Sequence, residues 1–368
     1  MRTYLDWNAT TPPHPEVLAA MARAAEIAWA NPSSIHADGR AARAVIEDAR
    51  AAVAMLAGTD PRDVVFTSGG TEANNLALRS LVPPGGALLT SRLEHPSVTR
   101  VAEALAREGR TVHWLAVDPA GVLDLADLEA GLTKGALVTV QAVNHETGII
   151  QPVAEVVALA KAAGARVHVD AIQGWGKIDV PAGWDTAAIA PHKLRGPKGI
   201  GALATRPGVR IDPVLLGGAQ EKGIRPGTTD AALAAGFGVA ASRARTGPER
   251  WAALAVLRDR LETNLLALAP SGGPAQRVGD PARRVPHVAN LVWPGWIGAE
   301  LVAALDLEGL SVSSGSACSA GTVEPSPVLA AMIGLAEATR GVRLSLGDTT
   351  TGEDIDHAVA AFARVLAR

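Results

Sequence analysis

Cysteine is almost absent from this sequence: Cys318 is the only one in 368 residues. Such a chain cannot hold an intrachain disulfide framework or a metal site built from cysteines alone. Aromatics are scarce too, with 8 Trp, 3 Phe and 1 Tyr. A core must therefore come mainly from Ala, Leu, Val and Ile, which suits helices packed tightly on a sheet. No sign of charge dominates: 34 Lys and Arg face 37 Asp and Glu, a formal net charge of -3, with no long run of either. That argues against nucleic acid or an anionic membrane as a partner. Nowhere do about 18 apolar residues follow one another without Pro, Gly or a charge, and the first residues lack the basic-then-apolar order of an export signal. A cytoplasmic protein is the default expectation. What is abundant is apolar mass, 48% hydrophobic against 19% charged, over a length that allows one large core and a smaller companion.

From about residue 40, Ala42, Val45, Ile46, Ala49, Val53 and Leu56 recur every three to four residues, and Gly58 is placed to end that helix. A short β-type run follows at 64–67, then a glycine pair, then a helical pattern from Thr71. The same order recurs at 87–91 with a helix near Ser97, and at 136–143 with a helix over 153–163; further strands are read at 166–170 and 187–190. Strands alternating with helices predict an α/β fold with a mainly parallel sheet covered on both faces. After Pro248 the pattern changes to one long helix over 249–268, a strand over 289–293, helices over 299–307 and 326–333, a strand over 341–346 and a closing helix from Glu353. These shifts place a domain boundary near 245–250.

Three features carry chemistry. Ser68-Gly69-Gly70-Thr71-Glu72 sits where a strand hands over to a helix, so free backbone N–H groups and a favourable dipole meet there. That arrangement binds phosphate, although a plain capped glycine turn reads the same way on its own. Asp170 lies at the carboxyl end of a predicted strand, where ligands bind in open α/β sheets, and Lys193 follows the next strand. An aldehyde cofactor needs a lysine for its Schiff base, and a pyridinium nitrogen needs a nearby carboxylate. The third feature is Cys318 itself. Its neighbours, Ser313 to Ala317 and Ser319 to Thr322, are small and polar with no apolar periodicity, which describes a loop rather than a core cysteine.

Taken in chain order, YLDWNATTP (4–12), ANPSSIHADGR (30–40), VVFTSGGTEANNLAL (64–78), HVDAIQGWGK (168–177), HKLRGPKGIGAL (192–203), GGAQEKGIRPGT (217–228) and SSGSACSAGTVEPS (313–326) resemble the motifs of the cysteine desulfurases. These are class V aminotransferase-type enzymes of pyridoxal-phosphate fold type I, and the resemblance is to the subgroup whose catalytic cysteine lies in a long loop. It implies a large domain with a mainly parallel, seven-stranded-type sheet and a smaller α+β domain. It implies pyridoxal 5'-phosphate as cofactor, held by Lys193 as a Schiff base, with Lys193 later moving the substrate Cα proton. Asp170 would pair with the pyridine nitrogen, Gln173 would hydrogen-bond the phenolic oxygen, and His95 would stack on the ring and act as acid/base. Gly70, Thr71 and His192 would hold the phosphate, while Thr228 would reach the phosphate of the neighbouring subunit in a homodimer. Arg343, helped by Asn31, would clamp the substrate carboxylate. Cys318 would take the sulfur of L-cysteine as a persulfide, leaving alanine, and pass it to an acceptor protein, an iron-sulfur scaffold or a sulfur carrier. No metal is required.

Two positions depart from the family pattern. His145 stands where relatives most often have the second Asn of Asn-Asn-Glu, which contacts the phenolic oxygen of the cofactor, and Ala190 replaces a serine that would bind phosphate. A histidine can donate the same hydrogen bond, and its protonation would tune the cofactor. Other readings stay open on sequence alone: a selenocysteine lyase, an aminotransferase for a small amino acid, or a homologue with weak cofactor binding.

Overall fold

The computed structural model describes residues 2–268, 270, 272–315 and 325–367. After a short N-terminal strand, β1 (Thr3–Tyr4), the strands β2 (Val64–Thr67), β3 (Ala87–Ser91), β4 (Thr111–Leu115), β5 (Leu137–Gln141), β6 (Arg166–Asp170), β7 (Thr186–Ile189) and β8 (Gly201–Thr205) follow. The last seven form one sheet in the order β2-β8-β7-β6-β5-β3-β4. Strands β4, β3, β5, β6 and β7 are mutually parallel. β8 runs antiparallel to both its neighbours. Its connection from β7 holds only a single 3-10 turn, Pro191–Lys193, too little for the helical crossover that a parallel return needs.

The central strands β5 and β7 are buried at every residue, which is why they read as continuous apolar runs; β8, equally buried, is not among the strands expected from the sequence. β4 escapes the sequence reading because THR-VAL-HIS-TRP-LEU, at the sheet edge, is only partly buried and mixes polar with apolar positions. The helix Leu125–Gly131 that follows it is too short to show a period. The expected long helix over 249–268 is two, Gly247–Ala252 and Ala255–Leu266. The first buries Trp251 beside Trp7, and the second sends Leu261 and Leu265 into a different cluster. A turn at 253–254 lets both be buried.

The scarcity of aromatics has a packing consequence. Helices Ala37–Ala57 and Ala231–Ala244 lie against each other through small residues, and a Cβ on Gly238 would stand 2.9 Å from Ala49 Cα, closer than packed atoms allow. The short side chains let the two backbones approach, at a position where adding one methyl would force them apart.

Beyond the large sheet, β9 (Gln276–Arg277), β10 (Val288–Val292) and β12 (Gly341–Ser345) form an antiparallel sheet with β10 in the middle, and β11 (Leu310–Ser311) pairs with β1. One hydrophobic cluster runs through residues 17–244, and a second joins Leu5 to residues of 261–366, with Trp293 stacked on Phe362 at 5.1 Å. No helix among the described residues is long and apolar enough to cross a membrane.

Candidate active site

The carboxyl ends of β2, β3, β5, β6 and β7 meet at one place. A cavity of about 270 Å³ opens there, lined by Gly70 and Thr71 after β2, His95 after β3, His145 after β5, Asp170 and Gln173 after β6, and His192 and Lys193 after β7. Asn8 and Ala9 from the N-terminal segment and Arg343 from β12 close the other side. Ligand crevices in open α/β sheets form at this edge because each strand ends in a loop free to carry a polar side chain.

Lys193 is set by the turn 191–193. Its Nζ donates to the carbonyls of Asn8 at 2.5 Å and Ala9 at 2.8 Å. The N-terminal segment thus holds the amine in the cavity wall, a role that no side-chain pattern in YLDWNATTP announces. Asp170 accepts from Ile172 N–H at 3.1 Å and from Asn74 Nδ2 at 2.8 Å. Gln173 is fixed from both ends: Lys177 Nζ donates to its Oε1 at 2.6 Å, and its Nε2 donates to the Asn8 carbonyl at 2.9 Å. Its oxygen is committed away from the cavity, so the hydrogen the amide has left to offer is an N–H donor. Lys177 is 2% exposed and burial drives its ammonium well below the usual lysine range.

The phosphate turn has the expected form. Gly69 caps the helix Gly70–Leu81 without a side-chain bond, and the first helical amide to find a carbonyl partner is that of Ala73. The amides before it stand at the cavity with the positive end of the helix dipole. Space demands glycine at 201, where a Cβ would fall 2.5 Å from the Gly69 backbone, while a Cβ on Gly70 would meet the terminal methyl of Ile172 at 2.1 Å and need that side chain to turn aside.

His95 caps the helix Pro96–Arg107 and meets the His145 ring edge-on, with centroids 5.2 Å apart. Burial lowers the pKa of both, most strongly for His145, where the neighbouring His95 and Arg343 add to the effect. Neither ring nitrogen of His145 has a hydrogen-bond partner, although both are buried. Beside it, Glu146 is held by Ser326 Oγ at 2.6 Å and burial pushes its carboxyl up. Arg343, 2% exposed, donates to Asp6 at 2.5 Å and to the His145 carbonyl at 3.0 Å, while its Nε has no partner.

Three of the expected residues stand apart. Asn31 is exposed and its Oδ1 accepts from Ser33 N–H at 2.9 Å. Thr228 is exposed as well. Their neighbours Pro32, Ser33 and Thr229 line a separate cleft of about 650 Å³ that contains neither Lys193 nor Asp170. Cys318 lies outside the described residues. Sequence reasoning passed over Asn8, Asn74, Ser97 and Lys177, although every one but Ser97 lies inside a quoted motif.

These side chains fit a phosphorylated pyridine aldehyde. A lysine amine, a carboxylate, a stacking imidazole, an oriented amide donor, unpartnered imidazole nitrogens and a glycine-lined helix N-terminus converge on a space suited to one small aromatic molecule. Family membership agrees: the chain belongs to the class V aminotransferases, matching that family over residues 3–358. More narrowly, it falls among the pyridoxal-phosphate-dependent cysteine desulfurases. It is 40% identical to the cysteine desulfurase of Trichormus azollae across 99% of this chain and 93% of that one. A solved NifS-like protein superposes with a TM-score of 0.91 at 31% identity, covering 100% of this chain and 99% of the other. A third, solved as SspA in complex with cysteine, gives 0.82 at 30% identity over 95% and 100% of the two chains.

The buried imidazoles also set an acid limit. His168 and His192 are pushed down to about 3 by burial, and His95, His145 and His287 are lowered by the same cause. In the unfolded chain each titrates near 6.5. Their contribution to stability is therefore complete above pH 6.5 and is lost as the pH falls from there toward about 3, because the unfolded state binds protons that the fold refuses. Glu94 and Glu146, whose carboxyls are raised, work in the opposite sense but are outnumbered. The thermal midpoint at fixed ionic strength is expected to drop between pH 7.5 and pH 5; a flat or rising midpoint would contradict this account.

Proposed function

We propose that this cavity desulfurates L-cysteine, with Lys193, His95 and Arg343 as the groups that handle the substrate and Cys318 as the group that takes the sulfur. The observation that carries the reading is the convergence of Lys193, Asp170 and the Gly70 helix N-terminus in one cavity at the carboxyl edge of the sheet. Pyridoxal 5'-phosphate, when bound, supplies an aldehyde for an amine and a ring that draws electrons from the substrate Cα. Asp170 would hold its ring nitrogen, Gln173 and His145 its phenolic oxygen, and Gly70, Thr71 and His192 its phosphate. Arg343 offers the planar fork that a carboxylate fits. Lys193, once its amine is free, removes the Cα proton, and His95 holds and moves a proton at the same face.

Sulfur transfer needs a second nucleophile. The Cys318 thiolate attacks the sulfur of the substrate, the carbon–sulfur bond breaks with its electron pair on Cβ, Cβ takes a proton, and Lys193 returns to Cα the proton it removed. Alanine and a Cys318 persulfide result. The segments flanking 316–324 support this role: Ser313 exchanges backbone hydrogen bonds with Arg343, and Ser326 is bonded to Glu146, so both ends are tied to residues in or beside the cavity wall. Three residues of extended chain span at most about 11 Å, which is the longest tether between Gly315 and Cys318. The sulfur then passes to an acceptor protein, an iron-sulfur scaffold or a sulfur carrier.

A homodimer in the cytoplasm is part of the same reading. The exposed Thr228, the exposed Leu215 and Leu216 and the cleft beside Thr229 support a second copy docked there, with Thr228 reaching the phosphate site of that copy. The two hydrophobic clusters support a division into 14–250 and 1–13 plus 251–368. The reaction is tested by supplying L-cysteine and a reductant to the reconstituted protein and measuring alanine and sulfide together. Equal amounts of the two are expected; keto acid without sulfide would replace this reading with an aminotransferase.

A further inference from the structure

One fully buried amide behind the cavity bonds two of the residues that line it. Asn74 is 0% exposed on the helix Gly70–Leu81. Its Nδ2 donates to Asp170 Oδ2 at 2.8 Å and to Ser97 Oγ at 2.8 Å, while His168 Nε2 lies 3.0 Å from its Oδ1. Because an ionised carboxylate only accepts, the nitrogen of the amide has to be on the Asp170 side. Its oxygen then faces His168 and needs a donor, so His168 carries its proton on Nε2. That leaves His168 Nδ1 to accept from the Thr186 hydroxyl at 2.8 Å. Along this arm one hydrogen each from Thr186, His168 and Asn74 runs toward Asp170, while the second Asn74 hydrogen goes to Ser97.

The other arm settles His95 by the same counting. Ser97 Oγ receives an N–H from Asn74, so its own hydrogen is available for His95 Nδ1 at 2.8 Å. The Ser97 backbone N–H also donates to that Nδ1, at 3.1 Å. A nitrogen that accepts twice holds no proton, and a neutral His95 must carry it on Nε2.

We propose that Asn74 is the positioning residue that couples Asp170 to His95: its one side-chain amide holds the Asp170 carboxylate in place under the cavity and, through Ser97, sets His95 as the Nε2–H tautomer. The proposal rests on the cofactor reading of the cavity for its Asp170 arm. The His95 arm depends on the protein alone, which separates the two.

The test is histidine ring ¹⁵N NMR on the full chain, with and without added pyridoxal 5'-phosphate, with His95 assigned by its loss in His95→Gln. Wild type is expected to show a bare Nδ1 and a protonated Nε2 at His95 in both states. In Ser97→Ala and in Asn74→Leu the two nitrogens are expected to move part of the way toward averaged values, because the Ser97 backbone N–H still donates to Nδ1. Asn74→Leu is further expected to weaken pyridoxal 5'-phosphate binding by about 10–100-fold, the usual cost of removing a partner behind a binding group, while Ser97→Ala binds it normally. A protonated Nδ1 at His95 in wild type, or a spectrum unchanged in Ser97→Ala, overturns the proposal. Tight binding by a folded Asn74→Leu overturns the Asp170 arm. If instead wild type shows the expected tautomer but does not bind pyridoxal 5'-phosphate, the cofactor reading fails and the His95 arm stands.

Discussion

Lys193→Ala is expected to turn over L-cysteine on the order of 10³-fold more slowly than wild type, and to yield protein in which borohydride fixes no chromophore. Two losses compound in that substitution. The amine that forms the covalent link disappears, and with it the base at Cα, a role worth about 10²–10⁴-fold by itself. Lys177 is the nearest candidate for rescue because its charge is felt by His192 alongside that of Lys193. It does not line the cavity, however, and its Nζ is engaged by Gln173 behind the wall. Reaching the cavity would break that bond and release the Gln173 amide, so substitution by Lys177 is not expected. Binding of pyridoxal 5'-phosphate should weaken without vanishing, since Asp170 and the helix amides remain. A reducible chromophore in Lys193→Ala would refute the covalent role of this lysine.

The parts of this site that were legible in the sequence are those that strand ends dictate. Asp170 and Lys193 follow short apolar runs that could only be buried strands, and the glycine pair 69–70 stands where a strand hands over to a helix, so position along the chain already implied position at the sheet edge. What stayed hidden acts through backbone or through partners far apart in the chain. The Asn8 and Ala9 carbonyls that hold Lys193 carry no side-chain signal. Asn74 reads as an ordinary polar position on a helix until β6 and the Ser97 turn are packed against it. Edge strand β4 and the break at 253–254 were missed because partial burial and competing clusters leave no clean period. The placement of Asn31 and Thr228 away from the cavity follows no local pattern, because the sequence motif reports their chemical type and not their place in the fold.

Without any added reductant, the wild-type protein is expected to release about one equivalent of alanine per site in a burst and then to slow to the rate at which the substrate, itself a thiol, clears the enzyme. The persulfide proposed on Cys318 would block the next attack until a thiol removes it. In this chain no second thiol exists: Cys318 is the only cysteine, so the persulfide cannot be resolved internally as a disulfide. The restart must come from outside, from an acceptor protein or a small reductant, and rapid-quench measurement of alanine should show a burst of one followed by a slow phase that dithiothreitol converts to faster turnover. Cys318→Ser is expected to abolish the burst and lower steady turnover by on the order of 10²-fold or more, since a hydroxyl near pH 7 offers almost no anion to attack sulfur whereas a free thiol, with a pKa of about 8.5, offers a few per cent. The substitution swaps one atom and leaves Lys193 and Asp170 untouched, so the borohydride-reducible chromophore should persist. A full burst in Cys318→Ser would show that sulfur leaves without a protein nucleophile, and a burst of several equivalents of alanine from wild type without reductant would show that the persulfide does not accumulate on this chain.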